Sequence, residues 1–228
     1  MHILLLDERL ADRPCPDLEP LLPLLAVDGV RVSLCSPAAA PPATGLLSQN
    51  HGWPIRLDQL HTHSLVGSWS DFMSSLTNGG SSLTTAAARL TEIQQGLLRE
   101  LIRRAVTTAV DETDVDVIFV CQAGILVEFA IETGPPVAAH ADEVDLATLA
   151  TAGRLKEIVA ASLSSCELLA ADTHATALTL STAWIEPDSE RPIETWGFKA
   201  GLATPPLESI AARIRNACQT ALSRRFAT

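Results

Sequence analysis

The first 35 residues constrain the fold more than any other stretch. His2 to Leu6 is a short, continuous apolar run closed by Asp7 and Glu8. That length and pattern suit a strand covered on both faces. A Pro-rich stretch with Pro14 and Pro16 follows, and Asp17 stands where it would cap a helix. Leu18, Leu21, Leu22 and Leu25 share one face of that helix, and Gly29 would end it. Val30 to Cys35 then alternates as a second strand. A strand, a helix and a strand in so few residues form a βαβ unit, which makes the two strands parallel. The expected fold class is α/β, three-layered, with helices on both faces of a mostly parallel sheet.

The rest of the chain continues the alternation. Residues 36–84 are rich in Pro, Ala, Gly, Ser and Asn and carry little periodicity. Ile55 to Leu60 reads as a short strand there, and Asn78 to Ser82 as a Gly-Ser loop. One long helix is expected over about 85–110, with Leu90, Ile93, Leu97, Leu98, Leu101 and Ile102 on its buried face. Val117 to Cys121 reads as a strand, 124–132 as a helix closed by Gly134, and Pro135 to His140 as a strand. A helix over 153–164, a strand over 166–171 and a helix to about Ala183, capped by Asp172 or Thr173, come next. A last strand is expected over 192–196 and a terminal helix over 205–225, whose basic end suits the macrodipole. No repeat or linker divides the sequence, so residues 1–228 are expected to form one domain.

Composition removes several classes of function. Hydrophobic residues make up 47% of the 228, enough for a sizeable core. The net charge of −11 opposes phosphate backbones and argues against a nucleic-acid partner. No apolar run approaches the roughly 18–20 residues that span a bilayer, and the brief apolar start lacks the basic residues and length of a secretory signal. A cytoplasmic protein with no membrane span is expected. The five cysteines are scattered, with no CxxC, and read as buried free thiols.

Ligands of such sheets bind at the carboxyl ends of the strands. Those ends carry Asp7, Cys35-Ser36, Cys121-Gln122, His140-Ala141-Asp142 and Asp172-Thr173-His174. Asp7, Gln122, His140, Asp142 and Thr173 are the candidate substrate-binding residues. No catalytic residue is assigned.

Across Asp114 to Leu146 the chain reads DVDVIFVCQAGILVEFAIETGPPVAAHADEVDL. This resembles the middle of the first, acceptor-side domain of retaining family 4 glycosyltransferases of the GT-B fold. In that family an Asp-Val strand, a helix, a Gly-x-Pro and an apolar strand ending in His-Gly-x-Asp follow in order. Asp116-Val117-Ile118, Gly124 to Leu126, Gly134-Pro135-Pro136-Val137 and His140 stand in those places. Leu24 to Val32 is similar to the family's passage from first helix to second strand, and Ser164 to Ala170 to a later strand. The resemblance covers roughly residues 1–205 and implies a Rossmann-like domain that binds a sugar or nucleotide sugar.

The chain also departs from that pattern. Asp7-Glu8-Arg9 replaces the Gly-Gly that follows the family's first strand, and two carboxylates repel phosphate. Cys121-Gln122 lacks the usual histidines, His140-Ala141 replaces His-Gly, and Thr173-His174 replaces Ser-Glu. The family's second, nucleotide-sugar-binding domain has no counterpart. Its Glu-x7-Glu spacing recurs at Glu92/Glu100 and Glu186/Glu194, but neither pair follows a Gly-rich turn. Three readings stay open. One is an acceptor-side half, acting only with a donor-binding half, supplied either by a separate chain or by a C-terminal continuation of this one. Another is a non-catalytic binding or assembly module, such as a homodimer. The last is a generic nucleotide-binding domain. No cofactor is expected.

Other groupings point to weaker chemistry. His51, His61 and His63 lie near Asp58 and Asp71, but no third ligand has metal-site spacing, so no metal is expected. Gly67-Ser68-Trp69-Ser70 is not a nucleophile elbow. Trp53 and Trp69, in the polar segment, are candidates to stack on a sugar.

Overall fold

The computed structural model describes residues 1–8, 18, 20–37, 49–52, 82–185, 193–196 and 206–226. Seven parallel strands form one sheet in the order β3-β2-β1-β4-β5-β6-β7. They are β1 (His2–Leu6), β2 (Arg31–Ser36), β3 (Gln49–Gly52), β4 (Val117–Val120), β5 (Val137–Ala141), β6 (Leu168–Ala171) and β7 (Ile193–Thr195). The helices are α1 (Leu22–Leu25), α2 (Leu83–Ala87), α3 (Glu92–Thr113), α4 (Leu126–Glu132), α5 (Glu143–Ala150), α6 (Arg154–Leu163), α7 (His174–Ala183) and α8 (Leu207–Arg225).

Alternation along the central strands explains why their sequences are apolar without interruption. Leu4, Leu6, Ile118 and Val120 enter one core, with residues of α2 to α7 such as Leu98, Ile102, Phe129 and Leu155. Ile3, Leu5, Val117 and Phe119 enter the other, with Leu22 and Leu25 of α1 and Ala211, Ile214 and Cys218 of α8. Each face of the sheet is covered, so neither parity of residue can be polar. The result is the expected three-layer α/β architecture.

The two strands of the first βαβ unit pair in parallel as expected, while its helix is shorter than expected, a single turn over Leu22–Leu25 with Leu21 at its N-cap. Gly29 after α1 has a φ of 77°, the left-handed conformation that suits glycine. Three other elements differ from the sequence expectation. The helix expected over 85–110 is two helices, α2 and α3, broken before Thr91. There the Thr91 hydroxyl accepts from the Gln94 N–H, while the Gln94 side chain accepts from the Thr91 N–H at 2.8 Å. This reciprocal capping box satisfies N-terminal groups that would otherwise lack partners, and so starts a new helix. A further helix, α5, begins at another capping box, formed by Asp142 and Asp145. Gln49 to Gly52 is an edge strand paired with β2. Ile55 to Leu60, Trp53, Trp69, Asn78 to Ser81, Asp17 and Glu186 lie outside the described residues.

Chain order reverses beside β1. From β1 the chain moves to β2 and β3, then returns through α2 and α3 to lay β4 against the other side of β1. The carboxyl ends of β1 and β4 therefore flank the topological switch point, where open α/β sheets form their ligand crevice.

Candidate functional site

At the switch point the crevice is filled from within. Glu8, just past β1, is 1% exposed. Its Oε2 accepts from the Thr84 hydroxyl at 2.8 Å and the Thr84 N–H at 3.2 Å, and its Oε1 accepts from the Leu126 N–H at 3.3 Å. Thr84 and Leu126 lie in the first turns of α2 and α4, so these N–H groups have no partner inside their helices. Gln122, after β4, holds the Glu8 backbone by accepting its N–H at 3.0 Å. The Thr84 hydroxyl also accepts from the Ile125 N–H at 2.8 Å.

The fit around Glu8 requires a glycine at 124. A Cβ on Gly124 would stand 1.9 Å from Glu8 Oε1 and 2.4 Å from Thr84 Oγ1. Burial pushes the Glu8 carboxyl up to about 7, even though its three donors favour the charged form. Asp7, beside it, is fully buried, and its N–H donates to the Cys35 carbonyl at 3.2 Å.

A second group lies at the ends of β5 and β6. His140 Nε2 is 2.7 Å from Asp172 Oδ1, and Nδ1 is 3.4 Å from the Cys121 carbonyl oxygen. Both neighbours are acceptors, so the doubly protonated ring suits the site best. Burial disfavours that charge. The Asp172 hydrogen bond and the carboxylates of Asp172, Asp145 and Asp142 outweigh burial, and the His140 pKa is raised above its ordinary value. The imidazole stacks on Trp196 with centroids 4.7 Å apart, and Trp196 stacks on Phe119 at 6.2 Å. The pair is still reachable from solvent, with the side chains of His140 and Asp172 16% and 26% exposed.

Asp145 joins the two groups. Its Oδ2 accepts from the Asp142 N–H at 3.2 Å and the Ala123 N–H at 3.4 Å. Burial pushes its carboxyl up to about 8, with the charges of Asp142 and Glu8 adding to the effect and His140 opposing it. Asp142 Oδ1 in turn accepts from the Asp145 N–H at 2.7 Å as the cap of α5. Thr173 caps α7 by accepting from the Thr176 N–H at 3.1 Å.

The five candidate residues thus all lie along the carboxyl edge. Gln122 and Asp7 sit at the switch point, His140 and Asp142 at the end of β5, and Thr173 after β6. Glu8, Asp145, Asp172 and Trp196 were not among them. The signal for Glu8 was its place after β1, followed at a distance by Gly124. The signal for Asp145 was an acidic residue three positions after Asp142.

As chemistry, this edge presents carboxylates and an amide with one fixed histidine, an arrangement that accepts hydrogen bonds from hydroxyls and disfavours phosphate. Among the described residues no group of three His, Cys, Asp or Glu side chains could hold a metal ion. His61, His63, Asp58 and Asp71 lie outside those residues, as does Cys15. Cys35, Cys166 and Cys218 are buried and Cys121 is partly buried. Glu92 and Glu100 lie on α3, where Glu100 pairs with Arg103 and Arg104. Among the described residues no helix is long and apolar enough to cross a membrane.

No protein-family model and no curated protein matches the chain. Among solved structures it is similar to Phytolacca americana UGT2, complexed with UDP-2fluoro-glucose and pterostilbene. The two share 14% identity at a TM-score of 0.44, over 89% of this chain and 54% of the other. The chain therefore spans about half the length of that protein. So loose a superposition does not align one site with the other.

Proposed function

We propose that this chain is the acceptor-side half of a sugar transferase, holding a hydroxyl-bearing ligand while a second unit holds the nucleotide sugar. The observation that carries this reading is the Glu8 carboxylate at the switch point. It takes the helix-terminal N–H groups that Rossmann-like domains offer to phosphates. With Asp7, Asp142 and Asp172 along the same edge, a nucleoside diphosphate would meet like charge on arrival. That counts against the generic nucleotide-binding reading. A sugar or alcohol hydroxyl would instead find acceptors. Asp7, Gln122, His140, Asp142 and Thr173 are the proposed contacts, and the family 4-like stretch from Asp114 to Leu146 supports the assignment to the acceptor side.

One observation favours a second reading, a non-catalytic binding module on the same architecture. Both ring nitrogens of His140 already face acceptors, so the ring offers no free base to a substrate hydroxyl.

The test is a thermal-shift titration of this chain with UDP-, GDP- and ADP-sugars and, separately, with uncharged sugars and polyols. A ligand that binds only the native state raises the melting temperature by mass action. The expected outcome is no shift with any nucleotide sugar and a rise with a hydroxyl ligand that Asp172→Ala abolishes. A rise with a nucleotide sugar would place donor binding on this domain and overturn the reading. Should a ligand bind, adding a donor-binding unit and assaying sugar transfer separates the catalytic half from the binding module.

A further inference from the structure

Away from the carboxyl-edge cluster, α7 has a composition that water does not explain. From Thr173 to Ile185 there is no Asp, Glu, Lys or Arg, although Ala175, Leu178, Thr179, Ser181, Thr182 and Ala183 are all exposed. An exposed helix face ordinarily carries charge. Its hydroxyls are also committed to its own backbone. Thr179 donates to the Ala175 carbonyl at 3.0 Å, and Ser181 and Thr182 donate to the Leu178 carbonyl at 2.9 and 2.8 Å. The face therefore has its hydroxyl donors already used, and Leu178 stands 57% exposed on it.

Beside this face lies a groove of about 400 Å³, running between α7 and α5 and walled by Leu146, Ala147, Thr179 and Trp184. Val144, on the exposed side of α5, is 70% exposed. Leu178 and Val144 are two of the four large hydrophobic side chains most exposed among the described residues. They stand on the two helices that wall the groove, α7 and α5.

The two ends of the groove carry opposite charge. Glu143 begins α5 at the carboxyl edge, where α7 also begins, because β5 and β6 run parallel and end in register at Ala141 and Ala171. Lys156 closes the other end, its ammonium 5.0 Å above the Trp184 ring. A patch that is negative at one end and positive at the other is self-complementary about a twofold axis across its middle.

We infer that the occupant of this groove is a second copy of the same chain. The two copies pack antiparallel through α5 and α7. Leu178 of each copy enters the partner copy's groove beside Ala147, and Glu143 of each copy faces Lys156 of the other. The interface meets the carboxyl edge at Glu143, next to Asp142, and uses none of the candidate contact residues.

Sedimentation velocity on the full chain tests this. The wild type is expected to sediment as a dimer at tens of micromolar, and Leu178→Asp as a monomer with an unchanged circular dichroism spectrum and melting transition. Glu143→Lys and Lys156→Glu should each weaken dimerisation about tenfold or more, and the double swap should restore most of the loss. The last result separates this geometry from any other dimer, because only antiparallel packing joins those two residues. A monomeric wild type, a dimer that survives Leu178→Asp, or a double swap no better than the singles overturns the inference. A monomer would mean that some other protein surface covers α7.

Discussion

At the scale of the residue, Gly124 and Glu8 are one feature. The glycine leaves space that the carboxylate fills, and the carboxylate supplies the acceptor that Thr84 and Leu126 need. Gly124→Ala would put a methyl group inside the contact distance of both Glu8 and Thr84. Overpacking of this kind costs roughly 1–3 kcal/mol, so a denaturant melt should show a loss of that size. The loss should shrink in a Glu8→Ala background, where the closer of the two clashes is gone and only that with Thr84 remains, and the double-mutant cycle reads that coupling directly. Equal losses in both backgrounds would mean that the two residues do not share the site. The same physics governs His140. Burial opposes a charge on its ring, and Asp172, Asp145 and Asp142 together raise its pKa against that, so its chemistry belongs to Asp172 and Asp145 as much as to the ring itself.

At the scale of the element, caps decide more than periodicity does. Thr91→Ala removes the hydroxyl that accepts the Gln94 N–H, and loss of such a cap costs about 1 kcal/mol. Chemical denaturation should show a shift of that order, and Thr91→Ser should recover most of it. The apolar spacing from Leu90 to Ile102 continues the pattern of α2, so sequence periodicity joins the two helices. The Thr91-x-x-Gln94 pair was the local sign that separates them. Asp142 shows a related ambiguity. A polar residue at the end of an apolar strand looks the same in sequence whether it caps a helix or meets a ligand, and here it caps α5. The strands at the centre of the sheet were legible because burial on both faces forces unbroken apolar runs. Gln49 to Gly52 was not, because an edge strand is held by backbone hydrogen bonds that need no apolar side chain. The site was legible as a set of strand ends. Which side chains meet there was not, because Glu8 reaches Thr84 and Leu126 across 76 and 118 residues of chain.

At the scale of the whole molecule, the carboxyl-edge cluster makes stability depend on pH in one direction. Glu8 and Asp145 have folded pKa values, about 7 and about 8, above the ordinary carboxyl range, and His140 is also raised. For each group the folded state holds its proton more tightly than the unfolded state does. Their stabilisation is complete at low pH and is lost as pH rises through the folded values. His2, whose pKa burial lowers, acts in the opposite sense below its ordinary value. The protein is therefore expected to melt at a higher temperature at pH 5.5 than at pH 8. Glu8 alone contributes about 2 kcal/mol to the difference, because its folded value of about 7 lies about 1.5 units above pH 5.5, at about 1.4 kcal/mol per unit. Glu8→Gln should flatten the profile, and a wild-type melting temperature that rises over that interval contradicts the assignment. The order of the sheet has a consequence of another kind. β1 is an interior strand, yet its partner β4 lies 114 residues further along the chain. A ribosome adding about 5–20 residues per second releases β1 on the order of ten seconds before β4 exists to receive it. Through that interval the apolar residues Ile3 to Leu6 have β2 as their neighbour in the finished sheet and nothing on the other side. The start of this chain is therefore the segment for which a chaperone that meets nascent protein would matter most.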